Sequence, residues 1–231
     1  MPDQVPAELL EEMIAYYSAR APEYEQWWER GRIERGEQNN QGWRDERELV
    51  YKAFDELNLT GRVLELAPGT GIWTRRLVRT ADSITAVDAS AEMIAMNRGS
   101  VASDKVRYVQ ADLFAWEPAE TYDAVVFNFW VSHVPLERLQ GFFDKVARAL
   151  RVDGRVFFVD GFPDASMASL TQESEQVITR KLNDGREFRI VKNYYQPAML
   201  EDLCRRAGLE VKVDTTPTYF YYGIGKRITR G

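Results

Sequence analysis

The sequence predicts an α/β fold in which a seven-stranded, mostly parallel sheet carries helices on both faces and the last strand runs antiparallel. Two observations carry this reading. Short apolar runs at residues 62–67, 83–88, 106–111, 122–129 and 155–160 alternate with helix-like segments, as strands joined by crossover helices do. Beyond residue 160 the alternation stops, and a hairpin, one helix and two more strand-like runs follow.

Leu9, Leu10, Met13, Ile14 and Tyr17 recur at helical spacing, so residues 7–19 read as an amphipathic helix. Pro22 opens a second short helix through Tyr24, Trp27 and Trp28, because proline suits a first helical turn. Residues 31–42 hold three glycines and two asparagines and read as a loop, followed by a helix over 43–58. Strand 62–67 passes through a glycine-containing turn into a helix from about Trp73. Strand 83–88 leads to a helix over 91–98, and strand 106–111 to the strongly apolar strand 122–129. Pro135 starts a helix to residue 150, with Leu136, Leu139, Phe143, Val146 and Leu150 as its buried face, before the strand at 155–160. Asn183-Asp184-Gly185, between the runs 177–182 and 186–191, is a hairpin signal. A helix over 197–207 is capped by Gly208, and strands are expected at 210–215 and 219–224.

The 231 residues suffice for one α/β domain with some decoration. The expected division is an N-terminal helical part, 1–42, and a body, 43–231, with an insertion at 162–195. A net charge of −6 with interspersed signs argues against a nucleic-acid partner, and the basic cluster Lys226, Arg227 and Arg230 reads as solvated. One cysteine, Cys204, and one histidine, His133, exclude a multi-cysteine or poly-histidine metal site. Cys204 falls on the apolar stripe of its helix and reads as a small buried hydrophobe. No run approaches ~20 apolar residues, and residues 1–20 are acidic, so a cytoplasmic protein without a membrane partner is expected.

The sharpest signal is Val63-Leu64-Glu65-Leu66-Ala67-Pro68-Gly69-Thr70-Gly71, a strand running into a turn and a helix. Gly69 and Gly71 let the backbone pass close beneath a ligand, and the helix N-terminus behind them adds N–H groups and a positive dipole end. Glu65 places a carboxylate where a dinucleotide fold needs room for pyrophosphate; its negative charge suits a sulfonium amino acid instead. Asp88 ends the next strand and is placed to accept ribose hydroxyls. Asp112, followed by Leu113 and Phe114, ends the third and is placed to meet an adenine amino group. Either aspartate alone is as well explained as a helix cap. Three acids at successive strand ends point to a ligand.

In this order the segments resemble the Rossmann-like class I methyltransferases that use S-adenosylmethionine (SAM), over about residues 43–160 and more loosely beyond. The resemblance implies SAM as cofactor, touched by Glu65, Gly69, Gly71, Asp88, Met93, Asp112 and Leu113, with Ala89 and Asn128 beside them. The position usually held by the first glycine is Ala67, so the turn is where a departure is expected. Tyr16-Tyr17-x-x-Arg20-Ala21-Pro22-x-Tyr24-x-x-Trp27-Trp28 resembles the N-terminal helical lid of the small-molecule members, in which an aromatic pair closes over the methionine part of SAM. Tyr16, Tyr17 and Tyr24 are the candidates there; packing on the core is the alternative, favoured for Trp28.

The loop Asn128-Phe129-Trp130-Val131-Ser132-His133-Val134-Pro135 leaves the sheet, in this family, beside the transferred methyl. His133 is therefore the candidate base, expected to titrate near ~6.5, with Tyr16 and Tyr17 as further catalytic candidates. Trp27, Trp130, His133 and Phe162 suit a flat aromatic acceptor, and the insertion offers Arg189 and Tyr195 as a roof, or else a contact between two copies of the chain, so monomer and homodimer both stay open. Trp27-Trp28-x-x-Gly31-Arg32 and the 183–186 hairpin resemble bacterial methyltransferases of secondary metabolism, some of which methylate indole C3. A nicotinamide-dependent oxidoreductase is the first rival, disfavoured by the missing third glycine and by Glu65. A non-catalytic SAM-binding regulator is the second.

Overall fold

The computed structural model describes residues 5–30, 37–161 and 176–229. Phe162 and the first half of the loop expected at 31–42 lie outside these. The N-terminal part is one helix, α1 (Ala7–Arg30), which runs through Pro22 rather than restarting there. An interior proline forfeits one helical hydrogen bond and costs about 3 kcal/mol. Ala21 on one side of it and Trp28 beyond it are both buried, and that packing carries the helix through. Helix α2 (Glu37–Glu56) starts earlier than the glycine and asparagine content of 31–42 suggests.

The sheet contains β1 (Arg62–Leu66), β2 (Ser83–Asp88), β3 (Val106–Gln110), β4 (Tyr122–Asn128), β5 (Leu150–Gly161), β8 (Leu209–Thr215) and β9 (Phe220–Arg227). Its order is β3-β2-β1-β4-β5-β9-β8, with the first five parallel and β9 antiparallel to both neighbours. Between them run α3 (Thr74–Leu77), α4 (Ala91–Val101), α5 (Leu136–Ala149) and α6 (Pro197–Ala207). β5 begins five residues before the expected start, directly from α5, and its pairing with β4 shifts register between Tyr122 and Ala124. The hairpin β6 (Val177–Lys181) and β7 (Glu187–Val191) forms a separate two-stranded sheet.

Alternation along the strands sends side chains to two cores. Leu64, Leu66, Val125, Phe127 and Phe158 face α5 and α6, where Cys204 is buried as a small hydrophobe. Val63, Ala124, Val126, Phe157 and Val159 face α2 and the tryptophans Trp28, Trp43 and Trp73. A third cluster joins Leu9, Leu10, Met13 and Tyr16 of α1 to Leu182, Ile190 and Val191 of the hairpin. The sheet reverses direction of growth between β1 and β4, so their carboxyl ends open a crevice. No helix among the described residues is long and apolar enough to cross a membrane.

Gly223 of β9 lies flat on the Phe158 ring, where a Cβ would sit 2.2 Å from ring carbon. Gly223→Ala is expected to destabilise the fold by about 1–3 kcal/mol, measured by urea unfolding, since a full core offers no room. A variant as stable as the parent would show that this face is loosely packed.

Candidate active site

The turn after β1 is built by its backbone. Ala67 and Gly69 both adopt left-handed φ, +51° and +56°, and Gly71 has φ +98°. The departure from glycine at Ala67 thus leaves the turn intact, at some strain. Asn97 of α4 underpins it, donating to Gly69 O at 3.2 Å and Thr74 Oγ1 at 2.9 Å, and accepting from Tyr108 Oη at 2.8 Å. Gly71 is required by this packing, because a Cβ would lie 3.0 Å from the Asn97 side chain. α3 is only four residues long, so the expected helix dipole is largely missing here.

Two carboxylates sit at the strand ends. Glu65, 1% exposed, accepts from Thr74 Oγ1 at 2.7 Å through Oε2, while its Oε1 has no partner. Burial, reinforced by the Asp88 charge, pushes its pKa up to about 8. Asp88 accepts from Gly69 N at 3.1 Å and Ser90 N at 2.9 Å, and burial pushes it up to about 6. No lysine or arginine among the described residues forms an ion pair with either.

A cavity opens over these ends. Tyr17, Tyr24, Ala67, Gly69, Asp88, Ala89, Met93, Asp112, Leu113, Asn128, Trp130 and His133 all line it, as the sequence suggests. A second compartment adjoins it, walled by Tyr24, Trp27, Glu65, Thr70, Asn128 and Phe129. Both polar side-chain atoms of Asn128, Thr70 Oγ1 and Trp130 Nε1 are buried without hydrogen-bond partners, as is Glu65 Oε1. Buried polar atoms are rarely left unpaired, so these mark where a polar ligand belongs.

His133 is held from both sides. Its Nδ1 lies 2.6 Å from Val191 O, and its Nε2 2.7 Å from Tyr17 Oη. A carbonyl only accepts, so Nδ1 carries the proton and Tyr17 donates to Nε2. Burial and the nearby Lys192 charge lower the His133 pKa to about 3, which replaces the expected titration near 6.5 with a permanently neutral imidazole. Burial likewise raises Tyr17 well above the usual tyrosine range. The turn Val131–His133 is fixed by Asp160, which accepts from Ser132 N at 2.9 Å and pairs with Lys192 at 3.2 Å. Phe129 is left-handed, φ +55°, beside both compartments, a strained residue of the kind found at functional sites.

Of the other expected site residues, Gly71 lines neither compartment, and Arg189, Tyr195 and Tyr16 lie elsewhere. Arg189 points outward and pairs with Glu12 of α1 at 2.8 Å, so the hairpin straps the helix and does not roof the cavity. Tyr195 is core, its hydroxyl donating to Val134 O at 3.0 Å. Tyr16 packs on Phe188 and accepts from Arg20 at 2.8 Å, one layer behind the cavity wall. Conversely, Leu10, Met13 and Ile14 line the cavity although their stripe reads as a core face. A helix lid gives the same period as a helix on a core. Phe114 and Ser90 also line it, and Ser90 accepts from Ser18 of α1 at 2.9 Å.

A family model described as a methyltransferase domain matches residues 36–212. A ubiquinone biosynthesis O-methyltransferase of Xylella fastidiosa (strain 9a5c) is 30% identical over 156 residues, 65% of this chain; the match spans 61% of that relative's length. A solved DhpI–SAH complex is 35% identical, with a TM-score of 0.80 over 98% of this chain and 100% of that one. A DhpI–SAM–HEP complex is 36% identical, with a TM-score of 0.81 over 96% and 100%.

Because Glu65 is harder to ionise in the fold, where its pKa is about 8, than in the unfolded chain, its contribution to stability is full below its ordinary value of 4.5 and is lost as pH rises through 8. Glu65→Gln is therefore expected to raise the melting temperature of the ligand-free protein by several degrees at pH 9, and by much less at pH 5. Equal shifts at both values would mean that the carboxyl is not held protonated.

Proposed function

The chain belongs to the methyltransferase domain family, and we propose that it is a SAM-dependent enzyme that methylates a small-molecule acceptor, at oxygen, beneath α1. The observation that carries the proposal is the set of unpartnered buried polar atoms, Glu65 Oε1, Thr70 Oγ1 and the Asn128 amide, in one compartment beside Asp88. They offer a carboxylate, a hydroxyl and an amide to an amino-acid head bearing both an ammonium and a carboxylate. Asp88 then meets the ribose, and Asp112, Leu113 and Met93 the adenine. SAM, when bound, supplies a methyl carbon on a sulfonium whose departing sulfur is a neutral thioether and needs no acid.

The protein's own part is alignment. Alignment of two bound reactants supplies about 7–11 kcal/mol. Tyr24 and Trp27 face the compartment, and an aromatic ring near a sulfonium contributes about 0.5–2 kcal/mol. The Tyr17 oxygen, with its own proton directed to His133 Nε2, presents a lone pair to an acceptor hydroxyl. The neutral His133 imidazole thereby orients Tyr17, and Tyr17 orients the acceptor oxygen, whose proton leaves to solvent as the methyl is transferred. The Arg20 guanidinium lies 5.3 Å from the Tyr24 ring and 5.7 Å from the Trp27 ring, and its charge suits an electron-rich or acidic acceptor oxygen better than an amine. The name of the Xylella fastidiosa relatives, O-methyltransferases, supports the same choice. In this reading α1 serves as the lid, and α2, which runs through the expected boundary at residue 42, belongs to the body. The aromatic wall leaves a flat acceptor, including an indole carbon, as the alternative, and the position of the added methyl separates the two.

Asp88→Ala is expected to weaken SAM binding by roughly 2–4 kcal/mol in calorimetry, from charge-assisted hydrogen bonds of about 1.5–3 kcal/mol each. A folded variant of unchanged affinity would remove Asp88 from the site. With methyl-labelled SAM and a panel of hydroxylated acceptors, Tyr17→Phe is expected to lower kcat by ~10²-fold through loss of alignment, and the parent's rate to show no ionisation near 6.5. A rate that climbs through pH 6.5 would contradict the neutral, buried His133.

A further inference from the structure

The face that α5 buries contains one residue foreign to it. Lys145 is 6% exposed, on a surface otherwise built from Leu139, Phe142, Phe143 and Val146. A buried ammonium is costly unless its donors are used, and here they are. Lys145 Nζ donates to Trp116 O at 2.5 Å, Leu113 O at 2.7 Å and Phe114 O at 3.3 Å. An apolar residue of similar volume would fill the same space with no desolvation cost, so bulk alone does not explain a lysine.

Those carbonyls belong to a single helical turn after β3. Ala115 N and Trp116 N donate to Asp112 O at 3.1 and 2.8 Å, and Asp112 Oδ1 accepts from Phe114 N at 2.9 Å. Asp112 thus caps the amide end of the turn, and Lys145 the carbonyl end, where partial negative charge collects. Asp112, Leu113 and Phe114 of this turn are also cavity wall. Leu113 is nearly fully buried, and Phe114 lies against Trp130 with ring centroids 5.5 Å apart. Lys145 Nζ also lies 3.5 Å from the Glu117 carboxylate, just beyond this turn, and Arg148 reaches the same carboxylate at 2.9 Å from the surface.

We propose that Lys145 is a positioning residue for the nucleoside end of the site: by gripping three carbonyls of one turn it holds Asp112, Leu113 and Phe114 in the arrangement that receives adenine. The inference rests on the reading of the cavity as the SAM site. It assigns α5, which does not touch the cavity through Lys145, a direct part in choosing the cofactor. Its signature is loss of affinity for the adenine portion alone.

The test compares two probes, S-adenosylhomocysteine (SAH) and S-ribosylhomocysteine, which lacks the adenine. Lys145→Met is expected to weaken SAH about tenfold in calorimetry while leaving S-ribosylhomocysteine within twofold. Lys145→Gln, whose amide still donates to two carbonyls, is expected to lose less, and it carries the test if the Met variant does not fold. Asp88→Ala serves as the control and should weaken both probes. If Asp88→Ala changes neither, the reading of the site fails, and with it the proposal. If Asp88→Ala behaves as expected but the Lys145 variants bind SAH normally, or lose both probes equally, Lys145 is a structural residue and the proposal is overturned.

Discussion

Two carboxylates are buried at the carboxyl ends of β1 and β2 with no basic partner among the described residues, and the rest of the site is arranged around that cost. Glu65 has one satisfied oxygen and one orphan; Asp88 is kept by backbone N–H groups alone. Desolvation holds Glu65 largely protonated at neutral pH. A site of this kind discriminates by charge. A diphosphate would meet two acids, whereas an ammonium and a sulfonium give Glu65 a reason to ionise. The same feature separates this chain from a nicotinamide-dependent enzyme of similar topology.

The left-handed turn that brings Gly69 to Asp88 is supported at a distance. Asn97 ties the turn to α4, Thr74 ties it to Glu65, and Tyr108 of β3 completes the network. On the other side the cavity is closed by α1, which is tied to the body along its length: Ser18 to Ser90, Tyr17 to His133, Glu25 to Arg75, Trp28 to Tyr51, Glu29 to Arg47, and the hairpin strap through Glu12 and Arg189. Exposed ion pairs such as Glu12–Arg189 contribute about 0–1 kcal/mol each. The burial of Trp28 in the core and the apolar cluster shared with the hairpin, more than these pairs, hold α1 over the cavity.

Much of this was legible in the sequence, and the parts that were not share physical causes. The strand–turn–helix runs and the acids Glu65, Asp88 and Asp112 could be placed because strand ends in a parallel sheet all face one crevice. Gly208, left-handed at φ +87°, is a cap for a reason visible in one residue. The helix through Pro22 was not legible, since its support is tertiary packing. Arg189 and Tyr195 were misplaced because a hairpin's position over the sheet depends on contacts that local pattern does not encode. Lys145 escaped notice because a lysine inside an apolar stripe looks like a solvated residue, and its partners are carbonyls of a distant turn. Leu10, Met13 and Ile14 satisfy the pattern of a core face while facing a ligand space.

The most direct test of the central role of the buried acids is a proton count. SAM is titrated into the protein at pH 7 in buffers of different ionisation enthalpy, and the slope of apparent binding enthalpy gives the protons exchanged. If the ammonium and sulfonium of SAM ionise Glu65, whose pKa is about 8 without ligand, roughly one proton per bound SAM should be released, and Glu65→Gln should abolish the release. An enthalpy independent of buffer, in a protein that binds SAM normally, would contradict it.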